Sequence, residues 1–185
     1  MAWTTPKTDF APGDVLTAAQ MNNIGGDLTA LRGDWGQTRR ESGNFTLNNT
    51  SWQNLDTGLD ITLAAATNDI IEVAISALTG SEAVDVFFDC VTVVSGTATT
   101  SFATGGAAAS IPAGHQGIQC WRGNAGVLAS LGGCMWLKLT SGDIASSTVT
   151  LRLRYRTGTA TNKNVYAVTN NPFVFTARNH GPVEI

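Results

Sequence analysis

Beyond residue 50 the chain takes on a two-residue hydrophobic period, and that period does most to limit how it can fold. Ile71, Val73, Ile75 and Ala77 alternate with Glu72, Ala74 and Ser76, and Val149, Leu151, Leu153 and Tyr155 alternate with Thr148, Thr150, Arg152, Arg154 and Arg156. Successive side chains of a strand point to opposite faces, so this alternation predicts strands with one buried face. Shorter runs predict further strands at 52–55, 60–63, 83–94, 117–122, 134–139, 164–168 and 173–178. Thr79-Gly80-Ser81, Ser95-Gly96, Ser141-Gly142-Asp143, Thr157-Gly158 and Asn170-Asn171-Pro172 carry the turn chemistry between them.

Many short strands with no helical pattern between them call for an antiparallel β-sandwich, and within that class a jelly roll is expected. The Thr-, Ala- and Gly-rich stretch 95–114 reads either as a long surface loop or as a flat small-residue strand at a subunit contact. Ahead of the strands the period is helical. Thr17 and Gln20 form a capping box flanked by Leu16 and Met21 as a hydrophobic staple. Met21, Ile24, Leu28 and Leu31 then fall in one narrow seam that suits a partner helix. Gly25 and Gly26 weaken this helix, each by up to about 1 kcal/mol against Ala, and Gly33 is placed to cap its end. Before it runs an extended arm with Trp3 and Phe10 as large apolar groups and Pro6 and Pro12 as stiffeners. The expected organisation is an anchoring arm at 1–16, a short oligomerising helix at 17–33, a linker or first strand at 34–50 and a jelly-roll head at 51–185.

Composition narrows the functional classes. Charged residues make up 14% of the 185 residues, against about 25% in an average soluble domain. Neutral residues are therefore expected to cover part of the surface, some of it buried between subunits. A net charge of -3 predicts no nucleic-acid partner, whose footprint is a basic patch or stripe. No apolar run approaches the ~18 residues of a membrane span, and no charged leader with an apolar core opens the chain. Folding in a cytoplasm without membrane insertion is the expectation. Cys90, Cys120 and Cys134 lack any CxxC spacing and are expected to be buried free thiols.

The opening Trp3, Pro6 and Gly13-Asp14-Val15-Leu16-Thr17-Ala18-Ala19, with Asn22, Asn23, Asp27-Leu28 and Ala30-Leu31, resembles the N-terminus of virion proteins of tailed bacteriophages, components of tails, fibres or head appendages. The strands Val149 to Arg156 and Asn171-Pro172-Phe173 through Asn179-His180-Gly181 are similar to the trimeric jelly-roll heads of viral fibres and of the tumour-necrosis-factor fold. The resemblance implies a homotrimer held in a particle by its N-terminus.

No motif of a nucleophile elbow, phosphate loop or zinc helix is present, so no catalytic, cofactor-binding or metal-ligating residues are assigned. His115 and His180 each lie between glycines or near one and are expected in loops with structural roles. Asp85 and Asp89 share a strand face and are expected to meet solvent or a subunit. Asp56 and Asp60 flank Gly58 but lack the ligand density of a calcium loop. Arg152, Arg154 and Arg156 project from one face, where they are either solvated, clamped to a neighbouring subunit or set against an anionic host-surface glycan. Trp136 continues an apolar run and is expected in the core; Trp121 is read as core or interface.

The expectation is a non-enzymatic structural protein of a tailed-phage virion, made and assembled in the host bacterial cytoplasm. Its anchor is the arm with Trp3, Pro6, Phe10 and Pro12, and its partners are two further copies, other tail or capsid proteins and a candidate host glycan. A fibre or tail appendage is preferred over capsid decoration or a head fibre; a carbohydrate-binding module and a cell-wall hydrolase using Asp85 and Asp89 are the other classes.

Overall fold

The computed structural model describes residues 34–108, 118–122 and 129–182. The arm residues Trp3, Pro6, Phe10 and Pro12, the seam residues Met21, Ile24, Leu28 and Leu31, and His115 lie outside the described residues. The chain divides into two compact units, Met1–Asp34 and Trp35–Ile185, of which the second is described here.

The described chain is mainly β and antiparallel. Its strands are β1 (Asp34–Arg40), β2 (Phe45–Leu47), β3 (Gln53–Asn54), β4 (Ile61–Ala64), β5 (Asp69–Thr79), β6 (Asp85–Val94), β7 (Thr97–Ser101), β8 (Ile118–Arg122), β9 (Ala129–Lys138), β10 (Thr148–Thr157), β11 (Lys163–Tyr166) and β12 (Phe173–Pro182). Among the described residues no α-helix forms; single 3-10 turns stand at Thr57–Leu59 and Ser141–Asp143. The segment read as a linker or a first strand holds β1 and β2.

The strands form two sheets. In the first, β5 is flanked along one side by β9 and along the other by β12 and β11, which lie end to end; β1 continues from β12 and β2 from β11. In the second, β10 is flanked by β6 on one side and by β3 and β4 end to end on the other, and β6 carries β7 and β8 end to end on its far side. With the end-to-end pairs merged, successive composite strands follow the spatial order 1-8-3-6 in the first sheet and 2-7-4-5 in the second.

Alternation builds the core between the sheets. Ile71, Val73, Ile75 and Ala77 of β5 and Phe173, Phe175 and Ala177 of β12 meet Val86, Phe88 and Cys90 of β6 and Val149, Leu151 and Leu153 of β10 in one apolar cluster. Gly36 of β1 faces inward, where a Cβ would overlap Ile61. Two-residue turns with both central residues at positive φ close two hairpins. One is Ser95 (50°) with Gly96 (80°), and the other is Ser146 (51°) with Ser147 (61°), the backbone that matches strand twist.

Three expectations are corrected. Trp136 is not core: Met135 and Leu137 take the inward positions of β9, so the pleat turns Trp136 out, where it is 53% exposed. His180 is not in a loop but in β12. Asp89 does not face solvent. Its stretch of β6 is covered on both faces, because the chain after Ser95-Gly96 returns as β7 and a turn that lies over it. Ser101 Oγ donates to Asp89 at 2.8 Å and the Ala103 N–H at 3.1 Å. The 95–114 stretch thus begins as a strand, and Ala98 and Ala108 pack on Val91 and Val93 in a second small apolar cluster.

That covering rests on a second carboxylate. Asp143 is buried and accepts from the hydroxyls of Thr92 (2.7 Å), Thr99 (3.3 Å) and Thr140 (2.7 Å) and from the Thr140 N–H (2.9 Å). Burial raises its pKa, but hydroxyl and N–H donors outweigh burial and hold it below the ordinary aspartate value. A carboxyl depressed in the folded state stabilises fully above its unfolded value, about pH 4, and this contribution is lost as pH falls through the folded value. Melting temperatures followed from about pH 7 to about pH 2 should therefore decline below that point, and Asp143→Asn should flatten part of the decline. An identical slope in the variant would remove Asp143 from the acid response.

Candidate functional site

Two side-chain clusters stand out, one on the outer face of each sheet. On the second sheet the arginine ladder forms as the alternation predicts. Antiparallel register sets Arg152 opposite Val91, Arg154 opposite Asp89 and Arg156 opposite Phe87. The ladder is engaged within the chain, so the solvated reading does not describe it. Arg152 grips Asp60 with a fork, Nε to both carboxylate oxygens at 3.0 and 3.1 Å and Nη2 to Oδ2 at 2.6 Å. Its side chain keeps 14% of its exposure. The Arg154 guanidinium lies 5.8 Å from the Trp52 ring and donates to the Ala108 carbonyl at 3.4 Å. Arg156 is buried with its guanidinium 4.2 Å over the Phe87 ring and 5.7 Å from Trp52. Cation–π contacts of this kind are worth about 2 kcal/mol when desolvated. The ladder ties β10 to β6 through Phe87 and to the chain at Trp52, Asp60 and Ala108.

Asp56 and Asp60, the pair weighed as cation ligands, each hold an arginine instead. Asp56 accepts from Arg40 at 3.0 Å and caps the 3-10 turn through the Gly58 N–H at 2.8 Å. Among the described residues no group of three or more His, Cys, Asp or Glu side chains is arranged to hold a metal ion. No described helix is long and apolar enough to cross a membrane.

The outer face of the first sheet is different in kind. Glu72 of β5 stands directly opposite Trp136 of β9 on one side and Arg178 of β12 on the other. One Glu72 oxygen accepts from the Cys134 thiol at 3.3 Å and the other meets His180 Nε2 at 2.8 Å. The Trp136 and His180 rings lie 4.7 Å apart at an interplanar angle of 34°. Hydrogen bonding by His180 lowers the Glu72 pKa, against a raising effect of burial. Burial and Glu72 both raise the Cys134 thiol, which leaves it mostly protonated at neutral pH. Cys134 is thus exposed, against the expectation of a buried thiol, whereas Cys90 is fully buried in the core.

Along β5 from this cluster the face turns to small, uncharged side chains. Ala74 pairs with Cys134 and Thr176, and Ser76 pairs with Gly132 and Val174. Trp35, 58% exposed, lies on the opposite margin of the same sheet, since β1 borders β12 and Gly36 takes the inward position next to it. Trp35 and Trp136 are the two described tryptophans that expose more than half their surface. Sequence reading missed this face because its residues come from positions 35, 72, 134, 136 and 180. The alternation around Met135 and Leu137 was the available signal for Trp136.

Neither a protein-family model nor a curated protein sequence matches the chain.

Proposed function

We propose that the chain is a non-enzymatic structural protein of a tailed-bacteriophage virion, with an N-terminal anchor, a helix that gathers three copies and a jelly-roll head displayed outward. The observation that carries the reading is the strand order. Eight composite strands in two four-membered antiparallel sheets, ordered 1-8-3-6 and 2-7-4-5, support a double-sheet jelly roll, which has eight strands in two sheets. This supports the likeness to viral fibre heads drawn from the later strands, and the arm and seam residues support attachment and assembly. A fibre or tail appendage remains the preferred location over capsid decoration.

Attachment is tested through the arm. Trp3 lies ahead of Pro6 and Phe10 between Pro6 and Pro12, without a strand or helix period to bury them in their own chain. Burying one such ring against a particle protein contributes on the order of 2 to 3 kcal/mol per copy, multiplied by avidity in a trimer. Phage carrying Trp3→Ala with Phe10→Ala should incorporate about tenfold less of the protein per purified particle. Undiminished incorporation with a normally folded head would place attachment elsewhere and end this division of labour.

A further inference from the structure

The two sheets treat their outer faces unequally. The second sheet's face is covered by its own chain, through the turn after β7 and the stacked arginines. The first sheet's face keeps Trp136 and Trp35 more than half exposed. Large aromatic groups beside small uncharged side chains such as Ala74 and Ser76 are the composition of an interface centre, where shape and burial dominate. Glu72 and His180 already hydrogen-bond each other at 2.8 Å, so covering them leaves neither side chain without a polar partner.

We propose that this face is the contact between copies of the chain, with Trp136 as its anchor, an inference that rests on the homo-oligomer reading above. Two observations favour a second copy over another protein. The face carries both signs, Glu72 with Arg178 and Lys138, so identical faces do not repel as a single-signed surface would. The chain also enters this sheet through β1, and only Arg32, Gly33 and Asp34 separate the seam residue Leu31 from Trp35. A tether that short spans at most about 14 Å, so copies gathered by their seams bring their first strands, and the sheet those strands border, into reach of one another.

The full-length chain provides the test. Light scattering should give an oligomer for the native protein. Trp136→Arg, whose new cation would face Glu72 across the strands, should weaken association at least about tenfold with an unchanged melting temperature of the head. Cys134, exposed in the single chain and next to Trp136 on the face, reports burial without any variant. Its alkylation by a maleimide, read by peptide mass spectrometry to separate it from Cys90 and Cys120, should be slow in the concentrated oligomer and accelerate on dilution. Fast, concentration-independent alkylation in a protein that remains oligomeric, with the Trp136 variant equally oligomeric, would overturn this face and leave the oligomer standing. A monomeric native protein would overturn both. A Trp136 variant that stays oligomeric yet is lost from phage particles would give the face to a virion partner and overturn the inference as well.

Discussion

Phe173→Ala should destabilise the head by about 3 to 5 kcal/mol, the cost of emptying a buried phenyl site. Phe173 is fully buried in β12 and makes an edge contact with Phe45 of β2, ring centres 5.2 Å apart at 71°. Its other neighbour, Phe88 of β6 at 6.3 Å, belongs to the opposite sheet, so the ring is a bridge across the core. Neighbours held in two separate sheets cannot collapse into the void without moving a sheet, which puts the cost toward the upper end of the range. For a unit of this size the melting temperature should drop by roughly 10 °C. Val174→Ala, next to it but on the outer face, should shift stability by no more than about 0.5 kcal/mol. A Phe173 variant melting within about 2 °C of the native protein would mean that the sheets close over the gap, contrary to this account of the core.

Lys163→Met should cost about 3 kcal/mol, although it exchanges a charged side chain for an apolar one of similar length. Lys163 opens β11 and is fully buried. Its ammonium donates to the carbonyls of Gly80 and Glu82, both at 2.5 Å, and lies 3.8 Å from the Glu82 carboxylate. Burial lowers its pKa, and the Glu82 charge and hydrogen bond act in the opposite sense. Replacing a buried ion pair by apolar groups can be neutral when both partners go. Here the partners stay: two backbone carbonyls lose their donor, each at a cost of about 1 to 3 kcal/mol. The Glu82 carboxylate keeps Asn164 Nδ2 at 2.6 Å and access to water, which limits the damage on that side. Urea titration of the two proteins measures the difference. Equal midpoints and slopes would show that the β5–β6 turn satisfies its carbonyls without the lysine.

Much of the strand content was legible because one face of each long strand is apolar by alternation. β5 and β10 appear in the sequence with their inward residues in place, β12 appears as the shorter run 173–178, and Ser95-Gly96 marks a hairpin turn that the backbone adopts at positive φ. The arginine ladder was legible too, since alternate positions must share a face. Its partners were not, because Asp60 lies 92 residues from Arg152 along the chain.

What sequence alone determined was which side chains of a strand go together: Met135 with Leu137, Arg152 with Arg154 and Arg156, Ile71 with Val73 and Ile75. That follows from the pleat, a property of neighbouring residues. Which of a strand's two faces is covered, and by what, was decided only by tertiary structure. Asp89 became buried because the end of β7 and the turn after it bring Ser101 and Ala103 onto its carboxylate. Lys163 became buried because a turn more than 80 residues earlier in the chain supplies two carbonyls. Trp136, Glu72 and His180 came together because β9 and β12 happen to flank the same strand in matching register. These are pairings between distant segments, set by how the whole apolar surface is best buried, and no local period encodes them.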